Sequence, residues 1–324
     1  MTLEITVREA IRDAMAEEMR LDPNVFLIGE EVGDYEGAYK VSQGLLKEFG
    51  YQRIVDTPIT EAGFTGLAVG ASMNGLKPIV EFMTWNFAMQ AIDHIINSAA
   101  KTFYMSGGKI NVPIVFRGPN GIASRVAAQH SQDFSAWYSH VPGLKVVAPF
   151  DSTDCKGLLK TAIRDLNPVV FLEHELMYNE KFELDGSEQL VELGKSKIML
   201  EGNDISLISY SRSVSLALLA AEYLKKHNIS AEVINLRTLK PLDEKTILDS
   251  VKKTSRVVLI EEAWQNYGVA SEIITIITSK AFDYLDAPPI RFSGADIPLP
   301  YAENLEKLAL PNIDKIVKGC LEIC

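Results

Sequence analysis

Short apolar runs recur along this chain, and stretches with helical periodicity separate them. In the first half, Val25–Gly29, Arg53–Asp56, Pro78–Phe82, Val112–Phe116, Leu144–Ala148 and Pro168–Leu172 read as strands. Gly63–Asn74, Asn86–Tyr104 and Ser152–Asp165 read as helices. Uninterrupted apolar strands alternating with helices require a parallel sheet covered on both faces. A capping box at Thr6-Val7-Arg8-Glu9 opens a further helix running through Met19. The pattern resumes with strands at Ile205–Ser209, Ala231–Leu236, Val257–Glu261 and Ile290–Phe292, and helices at Val214–Lys226, Glu244–Lys252, Val269–Ala281 and Ile313–Ile323. Between Glu175 and Asp204 periodicity weakens while charged residues and glycine accumulate, as in a crossing linker with a short strand pair. The expected fold is α/β with two parallel-sheet domains, at 1–180 and 205–324, joined by a linker at 181–204.

Composition narrows the function classes. With 324 residues the chain exceeds one small core, and 47% apolar and 23% charged residues are ordinary for a globular protein. No apolar run approaches the ~20 residues of a membrane span, so no membrane partner is expected. The net charge of −11 opposes binding to phosphate backbones, so no nucleic acid is expected either. Cys155, Cys320 and Cys324 form no CxxC pair, which argues against a disulfide framework or a zinc site and for a reducing compartment. Residues 1–20 carry no signal-peptide or Arg-rich pattern, giving two expected locations: bacterial cytoplasm, or mitochondrial matrix for a processed chain. Nicotinamide-type GxGxxG, P-loop GxxxxGK[ST] and hydrolase GxSxG motifs are all missing.

The densest chemical signal is Asp56-Thr57-Pro58-Ile59-Thr60-Glu61-Ala62-Gly63-Phe64. Pro58 stops a strand from continuing, and the small residues after Glu61 open a closely packed helix. Glu61 thus falls at the carboxyl end of a strand, where open α/β sheets bind ligands. The same carboxylate also reads as a first-turn acid that stabilises a helix dipole by ~0.3–1 kcal/mol.

Four segments together resemble one family: DTPITEAGF (56–64), EFMTWNFAMQAIDHIINSAAKTFYMSGG (81–108), PIVFRGPNG (113–121) and AAQHSQDFSAWYSHVPGLKVVAP (127–149). They are similar to the beta subunits of the thiamine-dependent, decarboxylating first component of pyruvate dehydrogenase complexes. The resemblance runs from Ile28-Gly29-Glu30-Glu31-Val32 to SGADIPLPYA at 293–302. It implies a transketolase-like pyrimidine-binding domain followed by a transketolase C-terminal domain. It further implies a two-alpha, two-beta tetramer with thiamine diphosphate shared between alpha and beta. The family's GDG and NN motifs for diphosphate and magnesium are absent here, so the resemblance assigns magnesium to the alpha subunit. Pyruvate is the implied substrate, and the lipoyl domain of an acyltransferase core the implied acceptor.

By resemblance, Glu61 is the carboxylate that hydrogen-bonds the cofactor's pyrimidine nitrogen. Phe87 packs on the aminopyrimidine, and Met83, Ile59 and Tyr35 lie in or near the pocket, although such residues are ordinary core in most proteins. His130, in a polar loop, faces the active site and moves a proton there. A structural potassium ion matches Ile114, Ala162, Ile163, Asp165 and Asn167; a plain helix terminus stopped by Pro168 reads equally from the residues themselves. Trp85 and Ala62 depart from the family's usual residues, which leaves the acyl preference open. The alternatives are a beta subunit for branched-chain 2-oxo acids or acetoin, and a non-catalytic scaffold.

Overall fold

The computed structural model describes residues 3–184, 186 and 190–324. The chain divides into two compact units: Met1–Asn120 with Trp137–Leu193, and Gly121–Ala136 with Gly194–Cys324. In the first unit lie strands β1 (Leu3–Thr6), β2 (Val25–Gly29), β3 (Ile54–Asp56), β4 (Lys77–Glu81), β5 (Val115–Pro119), β6 (Lys145–Val147), β7 (Val169–Glu173) and β8 (Lys181–Leu184). Six of them run parallel in the order β6-β7-β5-β4-β2-β3. From β2 the chain steps outward to the edge strand β3, then returns to β4 on the other side. That reversal is a topological switch point, and crevices at the carboxyl ends there receive ligands. Glu30, Asp56 and Glu81 all stand at these ends.

Thr6 caps the helix Val7–Leu21 through the expected reciprocal bonds: its Oγ1 accepts from Glu9 N–H at 3.3 Å, and Glu9 Oε2 accepts from Thr6 N–H at 2.8 Å. This helix buries Ile11, Ala14, Met15 and Met19 and packs on helix Ser152–Arg164, where Arg164 grips Glu18 through two bonds of 2.8 Å. Before the capping box, β1 pairs antiparallel with β8, Leu3 opposite Leu184.

In the second unit, β9 (Lys197–Leu200), β10 (Ile205–Ser209), β11 (Ala231–Asn235), the short β12 (Thr238–Lys240), β13 (Val257–Trp264) and β14 (Ile290–Gly294) follow in sequence. Five form a sheet ordered β14-β13-β10-β11-β9, parallel except for the antiparallel edge strand β9. Leu207, Val233, Val258 and Ile260 pack beneath Ala217, Ala221 and Leu224 of helix Ser213–Lys225, joined by Ile316 and Cys320 of helix Ile313–Ile323. All three cysteines are free, and no helix among the described residues is long and apolar enough to cross a membrane.

Four expectations shift. The helix expected from 63 begins at Glu61, so the carboxylate occupies the first helical position. The strand expected at Val112–Phe116 starts at Val115, because Pro113 has no N–H for a ladder. The single helix expected over 86–104 is instead an α-turn at Trp85–Ala88, a 3₁₀ turn at Met89–Ala91, a π-helical stretch at His94–Ala99 and an α-helix at Ala100–Met105. His94 there lies against Gly66, where an added Cβ would sit 3.0 Å from Nε2. The short strand pair expected between Glu175 and Asp204 forms no hairpin: β8 pairs with β1, and β9 with β11. Residues 185 and 187–189 of that stretch lie outside the described residues.

Candidate active site

At the switch point, β3 ends at Asp56, Pro58 turns the chain, and Glu61 starts helix Glu61–Met73. The helix is built to sit close: Phe64, Ala68 and Val69 are buried, and its glycines at 63, 66 and 70 present no side chain. Glu61 is 3% exposed, yet its Oε2 has no protein partner. Glu30, the first residue after β2, is also buried and leaves Oε1 without a protein partner. Burial, then the charges of Glu61 and Glu31, push the Glu30 carboxyl up to about 7. Each of these two buried carboxyl groups thus has an oxygen open to an external donor. Sequence reasoning passed over Glu30, whose signal was its place: the residue leaving the central strand beside the switch point.

The other expected residues sit at different depths. Tyr35 and Ile59 are 55% and 82% exposed, with the Lys40 ammonium 3.5 Å from the Tyr35 ring centre. Met83 and Phe87 are half-buried around a helix start capped by Thr84, whose Oγ1 accepts from Asn86 N–H at 3.3 Å. Trp85 points elsewhere: it is fully buried, with its ring 4.8 Å from Tyr138 and 5.4 Å from Phe82, so it is core and not exposed pocket wall. Ala62 is exposed.

Beneath the loop after β2 lies an ionic network that sequence reasoning also missed. Arg117 is fully buried and bonds Glu81 on β4 and Glu173 on β7, and Tyr178 Oη donates to Glu173 at 2.7 Å. Burial pushes the Glu81 carboxyl up, against the pull of the Arg117 charge.

His130 belongs to the second unit, where it is exposed in the loop Gly121–Ala136. Its N–H donates to Ala127 carbonyl at 3.2 Å, beside left-handed backbone at Arg125 and Ala127. The same unit holds a buried acid, Glu261, which accepts from Ala270 N–H at 3.1 Å and Ser293 Oγ at 3.0 Å; burial pushes it to about 7.

Ile114, Ala162, Ile163, Asp165 and Asn167 gather at the opposite, amino-terminal edge of the first sheet. The Lys145 ammonium neutralises Asp165, whose Oδ1 also accepts from Asn167 N–H and Nδ2 at 2.9 Å. The Ile114 carbonyl accepts from Val169 N–H at 2.9 Å. The carboxylate of this group therefore already has a cationic partner in Lys145.

Comparison with known proteins bears on the whole chain. Residues 4–181 match the family model described as transketolase, pyrimidine binding domain, and residues 194–316 match transketolase, C-terminal domain. A pyruvate dehydrogenase E1 component subunit beta of Rickettsia conorii is 59% identical over 99% of this chain and 99% of its own. The mitochondrial subunit beta-2 of Oryza sativa subsp. japonica is 58% identical over 99% of this chain and 86% of its own. A solved structure titled "Split gene transketolase, inactive beta4 tetramer" superposes with a TM-score of 0.79 over 98% of each chain at 20% identity, a likeness of fold. Carrying both transketolase domains and matching these relatives from end to end, the chain belongs to the family of pyruvate dehydrogenase E1 component beta subunits.

Proposed function

We propose that this chain supplies the pyrimidine side of a thiamine diphosphate site and, with an alpha subunit, catalyses decarboxylation of pyruvate and acetylation of a lipoyl group. The observation that carries the site is the unpartnered, buried Oε2 of Glu61 at the switch point. A pyrimidine ring nitrogen is a group that such an oxygen could hydrogen-bond, so the residues present fit the cofactor. When bound, thiamine diphosphate supplies a carbon nucleophile and an electron sink for the carboxylate's departure.

On this reading Glu61 would hold the pyrimidine nitrogen through Oε2, orienting the ring by that hydrogen bond. Glu30, raised to about 7, would be only partly ionised beside Glu61 at neutral pH. Met83 and Phe87 would supply apolar contact to the ring, with Ile59 and Tyr35 at the pocket's outer wall. His130 would donate or accept a proton at the reacting oxygen or the acceptor thiol. Diphosphate and magnesium would be held by the alpha subunit in a two-alpha, two-beta tetramer, and the tetramer would dock on an acyltransferase core. Domain limits of 1–180 and 205–324, with a linker at 181–204, complete the proposal. Potassium at Ile114, Ala162, Ile163, Asp165 and Asn167 has the weakest support, since Lys145 already serves Asp165.

Co-expression with its alpha subunit, followed by assay of pyruvate against branched-chain 2-oxo acids and acetoin with a lipoyl domain, tests this function. Pyruvate is expected to be preferred. Preference for a branched-chain acid or acetoin would transfer the chain to a sibling complex, and no turnover of any substrate would leave the scaffold reading.

A further inference from the structure

The Asp56 side chain fastens the loop after β2 to the strand that leads to Glu61, and Tyr51, just before that strand, adds a bond from its Oη to Asp34 Oδ1 at 3.0 Å. Gly29 and Asp56 are register partners across β2 and β3, and Thr57 N–H donates to Gly29 carbonyl at 3.0 Å. The two strands therefore leave the sheet together, one into Glu30 and its loop, the other through Pro58 into Glu61. Just beyond, Asp56 Oδ1 accepts from Gly33 N–H at 2.6 Å and Oδ2 accepts from Asp34 N–H at 2.9 Å. One carboxylate thus closes on two consecutive amides, a charge-assisted arrangement stronger than neutral hydrogen bonds. A Cβ on residue 33 would stand 2.8 Å from Asp56 Oδ2, so a larger residue there would push the carboxylate off this position.

The clasped loop has reason to need fastening. Glu31, Glu36 and Lys40 adopt φ of 57°, 63° and 60°, in the left-handed region that non-glycine residues avoid. Such conformations persist only where the surroundings over-determine them. Gly37 N–H on Glu31 carbonyl at 2.7 Å braces the loop from within, and Asp56 braces it from the Glu61 side.

We propose that Asp56 is a positioning residue: by clasping Gly33 and Asp34 it sets Glu30 and Tyr35 relative to Glu61 before cofactor arrives. The proposal rests on the thiamine diphosphate reading above. A preorganised pocket binds without first ordering its wall, so loss of the clasp weakens cofactor affinity while leaving the chemistry of the bound state nearly unchanged.

The test measures the thiamine diphosphate dissociation constant by calorimetry on the assembled alpha–beta enzyme, with magnesium, for wild type, Asp56→Ala, Asp56→Asn, Gly33→Ala and the Asp56→Ala/Gly33→Ala pair. Turnover at saturating cofactor, amide exchange over residues 30–44 and the thermal midpoint are measured alongside. Asp56→Ala and Gly33→Ala are each expected to weaken cofactor binding roughly tenfold, the scale of one charge-assisted hydrogen bond, with turnover within about twofold. Asp56→Asn, which keeps one acceptor, is expected between them and wild type. The pair is expected to be no worse than either single change, and exchange at Gly33 and Asp34 to quicken. Unchanged affinity in the folded variants, or effects that multiply in the pair, would overturn the clasp while wild-type binding upheld the cofactor reading. A wild-type enzyme that bound no thiamine diphosphate would overturn both.

Discussion

Glu61 and Glu30 are chemically identical side chains with different assignments, and two experiments separate them. Glu61→Gln keeps the shape but removes the group that shares a proton, so turnover of the assembled enzyme should fall by ~10²–10⁴ with little change in substrate half-saturation. Retention of half the wild-type rate would remove Glu61 from the chemistry. Glu30 is tested by stability. Its carboxyl ionises from 4.5 in the unfolded chain and about 7 in the folded one, so between those values the unfolded state holds fewer protons. Stability attributable to Glu30 is therefore present below 4.5, is lost as pH rises toward 7, and levels off beyond. Glu30→Gln, always neutral, escapes that loss. The melting temperature of the variant relative to wild type should climb across this window and then flatten; a constant difference would mean that Glu30 is not held protonated. Glu61 was legible because proline and small residues punctuate its surroundings. Glu30 was not, since its shift arises from burial beside a residue thirty-one positions away, which no local pattern encodes.

Among elements, β4, β5 and β7 are tied by Arg117 between Glu81 and Glu173. Arg117→Met should destabilise the folded chain by about 3–5 kcal/mol, because it leaves two buried carboxylates without a cation. Adding Glu81→Gln and Glu173→Gln should recover much of that loss. Denaturant unfolding of the two variants and wild type reads the recovery, and a loss under about 1 kcal/mol for the single change would mean that water replaces the guanidinium. The strands were readable from their apolar runs: Val25–Gly29 and Ile205–Ser209 begin and end where the runs do. Helix interruptions were not readable. Residues 86–104 keep an unbroken helical pattern, and the π-helical stretch at His94–Ala99 reflects tertiary packing such as His94 against Gly66. Arg117 likewise fell just past the expected strand Val112–Phe116 and drew no reading, because its two partners lie on other strands.

For the whole molecule, the proposed division of the cofactor site has a direct test. The chain purified without its alpha subunit should release no carbon dioxide from pyruvate, even with excess thiamine diphosphate and magnesium; robust release would defeat the two-chain reading. The charge of −11 offers a second test. If acidic residues of the second unit steer a basic segment of the acyltransferase core, association of the assembled tetramer with that segment should slow as salt rises through physiological strength, where screening reaches ~8–10 Å. A salt-independent rate would make the charge a matter of solubility alone. A different consequence follows from the pairing of β1 with β8, which joins Leu3–Thr6 to Lys181–Leu184. On the ribosome, the first strand emerges long before its partner. At ~5–20 residues per second, it waits roughly ten to forty seconds, its edge unpaired, until residue 184 is made. Helix Val7–Leu21, capped from within its own sequence, can form meanwhile, whereas the four residues ahead of it cannot. Truncations ending before residue 181 should therefore release an aggregation-prone chain with an unpaired amino-terminal strand, while those extending past 193 should fold the first unit less its 121–136 excursion.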